Sequence, residues 1–202
     1  MLKYAEAKII SIKSKGKSVP VVEITCDVSG ERIKYNITEG TYRKIGCPLL
    51  GEFIDPDSLV IVANEDERRR ALASALSVLS YGDHSEQALL IKLKHRGYSK
   101  DVSIDTVREC VSLGYIDEQR QLKRMILKFA NEELLGSYKI LAKLMRKYYP
   151  RRAICQAISE LSESGELDFK ESRKKLIEKT LGDSATDEEI YKLLSRYGYI
   201  RC

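Results

Sequence analysis

Nucleophiles and metal ligands are sparse in this chain. Its five cysteines, Cys26, Cys47, Cys110, Cys155 and Cys202, show no C-x-x-C spacing, which argues against both a zinc module and a disulfide framework. Their odd number and wide scatter read as the reduced thiols of a cytoplasmic protein. The two histidines, His84 and His95, stand eleven positions apart and offer no ligand pair. No G-x-G-x-x-G, Walker-type loop, G-x-S-x-G or H-E-x-x-H occurs. Asp117 and Asp168 follow glycine turns, where a carboxylate caps the next helix, and no cluster of acids, nucleophiles or metal ligands surrounds them. The reading is a protein that is not an enzyme and holds neither metal nor cofactor.

Cations are where the chemistry concentrates. The chain carries 35 Lys and Arg against 30 Asp and Glu, a net +5, yet residues 120–155 alone hold ten basic and two acidic side chains. Lys123, Arg124 and Lys128 fall within about a turn and a half of helix. Lys139, Lys143, Arg146 and Lys147 recur at spacings of three and four, which puts them on one helix face opposite Ile140, Leu141 and Leu144. Arg151 and Arg152 follow two tyrosines and the helix-starting Pro150, and cations at a helix start oppose its dipole. The candidate contact face is therefore Lys123, Arg124, Lys139, Lys143, Arg146, Lys147, Arg151 and Arg152. It would meet a phosphate backbone or an acidic protein groove, the plain alternative being a solvated helix face.

Those side chains must be positioned by a packed scaffold. A 43% hydrophobic share with 32% charged residues supplies a core. No apolar run is long enough for a membrane span, and the N-terminus lacks a secretory hydrophobic stretch. The first sixty residues read as strands over Ala7–Lys13, Val21–Cys26 and Arg32–Ile37, with turns at Ser14–Lys17 and Ser29-Gly30. Short helices are expected over Thr38–Ile45 and from about Ser58, the second capped by Asp55-Pro56-Asp57, and a longer one over Glu65–Leu79.

Beyond Asn64 the chain repeats itself. Residues 85–98 align with 136–149 at an offset of 51, and with 186–199 at a further 50. Gly114-Tyr115-Ile116-Asp117 matches Gly165-Glu166-Leu167-Asp168 at the same 51. The pairs Leu89/Leu93, Ile140/Leu144 and Ile190/Leu194 share one buried face in each unit. Gly97, Gly114, Gly165 and Gly198 read as left-handed helix ends. Tyr98, Tyr148, Tyr149, Tyr197 and Tyr199 occupy equivalent turns, as inter-helix packing with a wet hydroxyl or, alternatively, as stacking platforms for bases. The fold class is mainly α: tandem three-helix repeats forming an elongated curved rod, with a small N-terminal β-containing extension. The divisions are a β-ribbon extension over 1–63, repeats over 64–116 and 117–167, and a truncated third repeat over 168–202.

Leu79-Ser80-Tyr81 with Ser85, then Lys92-Leu93-Lys94-His95-Arg96-Gly97-Tyr98, then Leu113-Gly114-Tyr115-Ile116-Asp117-Glu118, resembles the first repeat of the RecX regulatory proteins. Gly30-Glu31, Tyr35, Ile45 and Asp66-Glu67 look like the β-containing extension of its Gram-positive members. The resemblance covers residues 65–200 well and 7–64 loosely. It departs at Gly82-Asp83-His84, where many members are more basic, at Arg120-Gln121-Leu122, and at Tyr148, which stands at a usual glycine position. The family implies a cytoplasmic, non-enzymatic protein that binds RecA recombinase filaments on single-stranded DNA; a monomeric state and weaker duplex binding are expected beside it. It implies restraint of filament growth, ATP hydrolysis and strand exchange in recombinational repair and the SOS response. A helical DNA-binding transcriptional regulator is the alternative, because three-helix units can resemble helix-turn-helix modules.

Overall fold

The computed structural model describes residues 7–15, 21–182 and 185–200. Gly16, Lys17, Pro20 and Cys202, on which parts of the sequence reading fall, lie outside them. Among the described residues the chain is mainly helical, with four strands and nine helices, and no helix is long and apolar enough to cross a membrane.

Strands β1 (Ala7–Lys15), β2 (Val21–Val28) and β3 (Glu31–Thr38) stand where β-branched residues and the Ser29-Gly30 turn place them. Both turn residues have positive φ, 54° and 88°, as a two-residue hairpin requires. A fourth strand, β4 (Phe53–Ile54), makes the antiparallel order β3-β2-β1-β4 where three strands were expected. Two residues are too few for alternation to register in a sequence.

Helix α1 (Glu39–Lys44) starts at Thr38, whose hydroxyl accepts from the Thr41 amide at 3.2 Å. Helix α2 (Pro56–Ser80) is one continuous run of 25 residues, so the two helices expected near Ser58 and over Glu65–Leu79 are joined. The 63/64 division falls within it, because Asn64-Glu65 is polar but carries no helix breaker.

α2 does more than cover the sheet. Leu59 and Val62 enter the core formed by Ile9, Ile24, Cys26 and Ile37. One turn on, Asp66 accepts from the Asn36 amide at 2.8 Å, and Glu65 accepts from the Thr38 amide at 2.5 Å. These carboxylates occupy the donors of edge strand β3, which would otherwise template further pairing. The buried Asp66 is balanced by Arg70 Nε at 2.8 Å.

The remaining helices are α3 (Glu86–His95), α4 (Lys100–Ser112), α5 (Glu118–Asn131), α6 (Ser137–Arg146), α7 (Arg151–Glu163), α8 (Phe169–Thr180) and α9 (Asp187–Tyr197). The chain groups into two compact units, residues up to 78 with 93–108, and residues 79–92 with 109 onward. In the second, α5, α6 and α7 enclose a core of Leu122, Ile126, Ile140, Leu144, Ile154 and Leu161. A smaller core joins Leu134 with Leu176 of α8 and with Leu193 and Leu194 of α9. Asp117 and Asp168 cap α5 and α8, accepting from Arg120 N at 3.0 Å and Lys170 N at 2.7 Å. Gly97, Gly114, Gly165 and Gly198 all have φ between 75° and 88°.

Repetition is visible at the ends of α3, α6 and α9. Each closes with a residue at positive φ, Gly97, Tyr148 or Gly198, followed by a tyrosine whose amide turns back to a helix carbonyl. The tyrosine hydroxyls then reach one recurring position. Tyr98 donates to the Arg70 carbonyl at 3.0 Å, Tyr149 donates to Gln121 Oε1 at 2.7 Å, and Tyr199 engages the Ser172 side chain as well as the Leu134 carbonyl. Residues 70, 121 and 172 are spaced by the repeat length. Tyr98, Tyr149 and Tyr199 pack between helices as that reading has it, but the Tyr149 hydroxyl is buried against Gln121 instead of being wet.

The helices also cap one another. Gly136, at the start of α6, offers no side-chain cap. Its amide donates instead to the Tyr197 carbonyl at 2.9 Å, and the Tyr138 amide donates to the Gly198 carbonyl at 3.1 Å. At the other end of α6, the Lys147 carbonyl accepts from Ser85 Oγ at 2.8 Å, while that hydroxyl caps α3 through the Ala88 amide at 3.2 Å. Thr186, the corresponding residue of α9, forms a self-contained capping box with Glu189.

Two measurements test these contacts. A Cβ at Gly136 would collide with the Gly198 carbonyl, and that backbone cannot yield without opening the cap. Gly136→Ala is expected to destabilise by about 2–3 kcal/mol in denaturant titration. Gly165→Ala, with open space but positive φ, should lose only about 1 kcal/mol. Burial raises the Tyr149 phenol and pushes Tyr199 up to about 12, so both stay protonated in the fold. Their stabilisation is complete below the ordinary phenol pKa near 10 and is lost as pH rises through the folded values. Tyr149→Phe should therefore lose about 1 kcal/mol at neutral pH, through the lost hydrogen bond, and show a shallower alkaline decline in stability.

A candidate nucleic-acid interface at the α6–α7 turn

The eight cations of the candidate face divide evenly by what surrounds them. Lys123 of α5 sits 2.8 Å from Glu160 of α7. That hydrogen bond holds the ammonium above its ordinary range and the carboxylate below it. Arg124 pairs with Asp83. Lys143 pairs with Glu133 and lies 4.4 Å over the Phe129 ring. Lys139 donates to the Arg196 carbonyl at 2.5 Å and lies 5.7 Å over the Tyr197 ring. It thereby places a cation at the C-terminus of α9, where the helix dipole favours one. All four have work inside the fold.

Arg146, Lys147, Arg151 and Arg152 are different. Their side chains are exposed, and among the described residues none has an acidic or carbonyl partner. They bracket one turn: Arg146 ends α6, Lys147 is its cap, and Arg151 and Arg152 open α7. Lys147 and Arg146 complement the C-terminus of α6. Arg151 and Arg152 stand at a helix start with no acid in its first turn, so α7 itself gains nothing from them. Pro150 takes the cap position immediately before them, its extended ψ of 135° directing the chain into α7.

Between the two pairs stand the tyrosines. Tyr149 is buried and bonded to Gln121, whereas Tyr148 is 52% exposed and held at φ 64°. A large non-glycine residue in that region is strained by about 1 kcal/mol. Tyr148 is thus an aromatic ring presented to solvent in the middle of four uncompensated cations. That combination suits phosphates from two sides and offers one unstacked base a platform.

His84 borders the same end of α6. Burial, reinforced by the Lys92 and Lys147 cations, holds its imidazole below the ordinary range, so it is neutral at pH 7. Its ring lies 3.4 Å from Lys92 Nζ. His95 is exposed.

Arg120 and Lys128 of α5 are also exposed and unpaired among the described residues, and were omitted from the candidate face. The acids that take up Lys123, Arg124 and Lys143 were missed as well. Asp83, Glu133 and Glu160 lie between 10 and 41 positions from their partners, so no helix spacing reveals them.

No protein-family model and no curated protein matches the sequence. Among solved structures, the fold is similar to a crystal structure of the regulatory protein RecX, with a TM-score of 0.67 at 18% identity, covering 96% of this chain and 95% of that one. RecX from Lactobacillus salivarius is also similar, with a TM-score of 0.46 at 14% identity, covering 67% of this chain and 99% of its own. The first likeness establishes a RecX-like fold.

Tyr148→Gly tests the strain at the turn. Thermal unfolding should show a variant more stable by about 1 kcal/mol, because glycine adopts positive φ freely and the lost ring is half exposed. If binding to single-stranded DNA falls in the same variant, the ring is held there at the expense of stability.

Proposed function

We propose that this protein is a RecX-type regulator that binds recombinase filaments on single-stranded DNA and restrains their activity, ATP hydrolysis included, without itself being an enzyme. The observation that carries the reading is the α6–α7 turn, where Arg146, Lys147, Arg151 and Arg152 surround the exposed Tyr148 with no anion among the described residues to neutralise them. The RecX-like fold supports the choice of partner. Shared fold alone does not assign a function, so the weight rests on the site.

In this reading the protein acts as a cytoplasmic monomer in recombinational repair. The turn engages phosphates of the filament's DNA or acids of its protein wall, while Lys123, Arg124, Lys139 and Lys143 hold the turn's supports in place. The proposed division into an N-terminal extension and repeats over 64–116, 117–167 and 168–202 assigns contact to the second repeat. Guanidinium groups at both ends of the turn suit either anion, since each can donate two parallel hydrogen bonds to a phosphate or a carboxylate.

The test is the rate of ATP hydrolysis by purified recombinase on single-stranded DNA, titrated with this protein. Wild type should inhibit in a saturable way. Arg146→Glu with Arg151→Glu should weaken inhibition and single-stranded DNA affinity by tenfold or more, and should flatten the salt dependence by a log–log slope of about 1–1.5. Circular dichroism should be unchanged, because neither side chain has an acidic or carbonyl partner among the described residues. Full inhibition by the double variant would remove the turn from the mechanism.

A further inference from the structure

Two side chains outside the candidate face, His84 and Lys92, meet beside the α6–α7 turn. Ser85 Oγ donates to the Lys147 carbonyl at 2.8 Å, which fixes the start of α3 against the cap residue of α6. His84, the residue before Ser85, is thereby held near Lys147. Lys92 lies seven residues beyond Ser85, two turns along the same face of α3. Its Nζ comes 3.4 Å from His84 Nε2. All of these residues belong to the second compact unit.

An ammonium can only donate, so His84 Nε2 accepts and the neutral ring carries its proton on Nδ1. The charges bearing on the ring are Lys92 of α3, Lys147 at the end of α6, and Asp83 before α3. The acid among them, Asp83, is taken up by Arg124 of α5. Lys92 and Lys147 are exposed and have no acidic partner among the described residues. A second proton on the ring would sit on Nε2 and set two positive donors face to face. An oxyanion that accepts from both removes the conflict, and a phosphate group has the charge and the lone pairs to do so.

We propose that Lys92, His84 and Lys147 form a phosphate subsite that extends the basic turn onto α3, and that His84 gains a proton when the subsite fills. The inference rests on the reading of the turn as an anion site, not on the choice of recombinase as its partner. Proton uptake and anion binding are then reciprocal. Binding tightens as pH falls through the His84 midpoint of the complex, and levels off below that of the free protein.

Proton NMR of the imidazole resonances, assigned through His84→Gln, reads the His84 midpoint in the intact protein. Sodium sulfate, which does not titrate in this range, is the probe, compared with sodium chloride at equal ionic strength. Sulfate should raise the midpoint by about half a pH unit or more. Lys92→Met should raise it without sulfate, by removing a cation, and should abolish the response to sulfate. Single-stranded oligothymidylate should raise it as well. Its affinity should climb about tenfold from about pH 8 to about pH 5.5, and the climb should flatten in His84→Gln. A midpoint that moves with either anion supports the subsite; if sulfate moves it while no DNA binds, the reading of the turn falls alone. A midpoint unmoved by sulfate and by DNA overturns the subsite, and if the DNA binds all the same, the reading of the turn survives.

Discussion

The second compact unit depends on helix ends that satisfy one another. An α-helix starts with amides that lack intrahelical acceptors and ends with carbonyls that lack donors, and either is costly when buried. At the start of α6 the acceptors are the final carbonyls of α9, and at its end a carbonyl is taken by the serine that caps α3. The partial charges at these ends are opposite, so the arrangement also brings helix dipoles together in their favourable sense. Backbones must come close for this to work. Gly136 and Gly198 are the residues at the contact, and a Cβ on Gly198 would fall 2.6 Å from the Lys139 Cβ.

This constraint sorts the cations. Lys139 lies in the first turn of α6, beside the α9 terminus, and is drawn onto a carbonyl there. Lys143 is one turn on and finds Glu133 and the Phe129 ring. At the end of α6 the cations run out of partners among the described residues, and there Arg146 and Lys147 lie on one side of a turn whose other side begins with Arg151 and Arg152. The Tyr149–Gln121 hydrogen bond anchors the turn from beneath. A surface of like charges held in one place on a rigid support attracts polyanions more strongly than the same charges on a flexible loop, because less ordering is needed on binding.

Much of this was legible in the sequence. Periodicity located the helices, since Leu89, Leu93, Ile140 and Leu144 are all fully buried, and the 51-residue offset located repeated capping at Asp117 and Asp168. Substitution of Tyr148 for a glycine was visible, and its positive φ follows from the repeat. Other features were out of reach. β4 is too short to leave a pattern, and Asn64-Glu65 looked like a break while continuing a helix. The pairing of Lys123, Arg124, Lys139 and Lys143 depends on residues distant in the chain, so helix-face arithmetic grouped eight cations where tertiary structure frees four.

In the proposed role, an uncompensated basic turn around an exposed ring meets the anionic filament. Amide hydrogen exchange of this protein with and without recombinase assembled on single-stranded DNA reads that contact directly, since engagement slows local opening. The account predicts new protection concentrated at residues 145–152, with the exposed faces of α2 and α4 unchanged. Protection confined to other elements, with 145–152 exchanging as in the free protein, would contradict it.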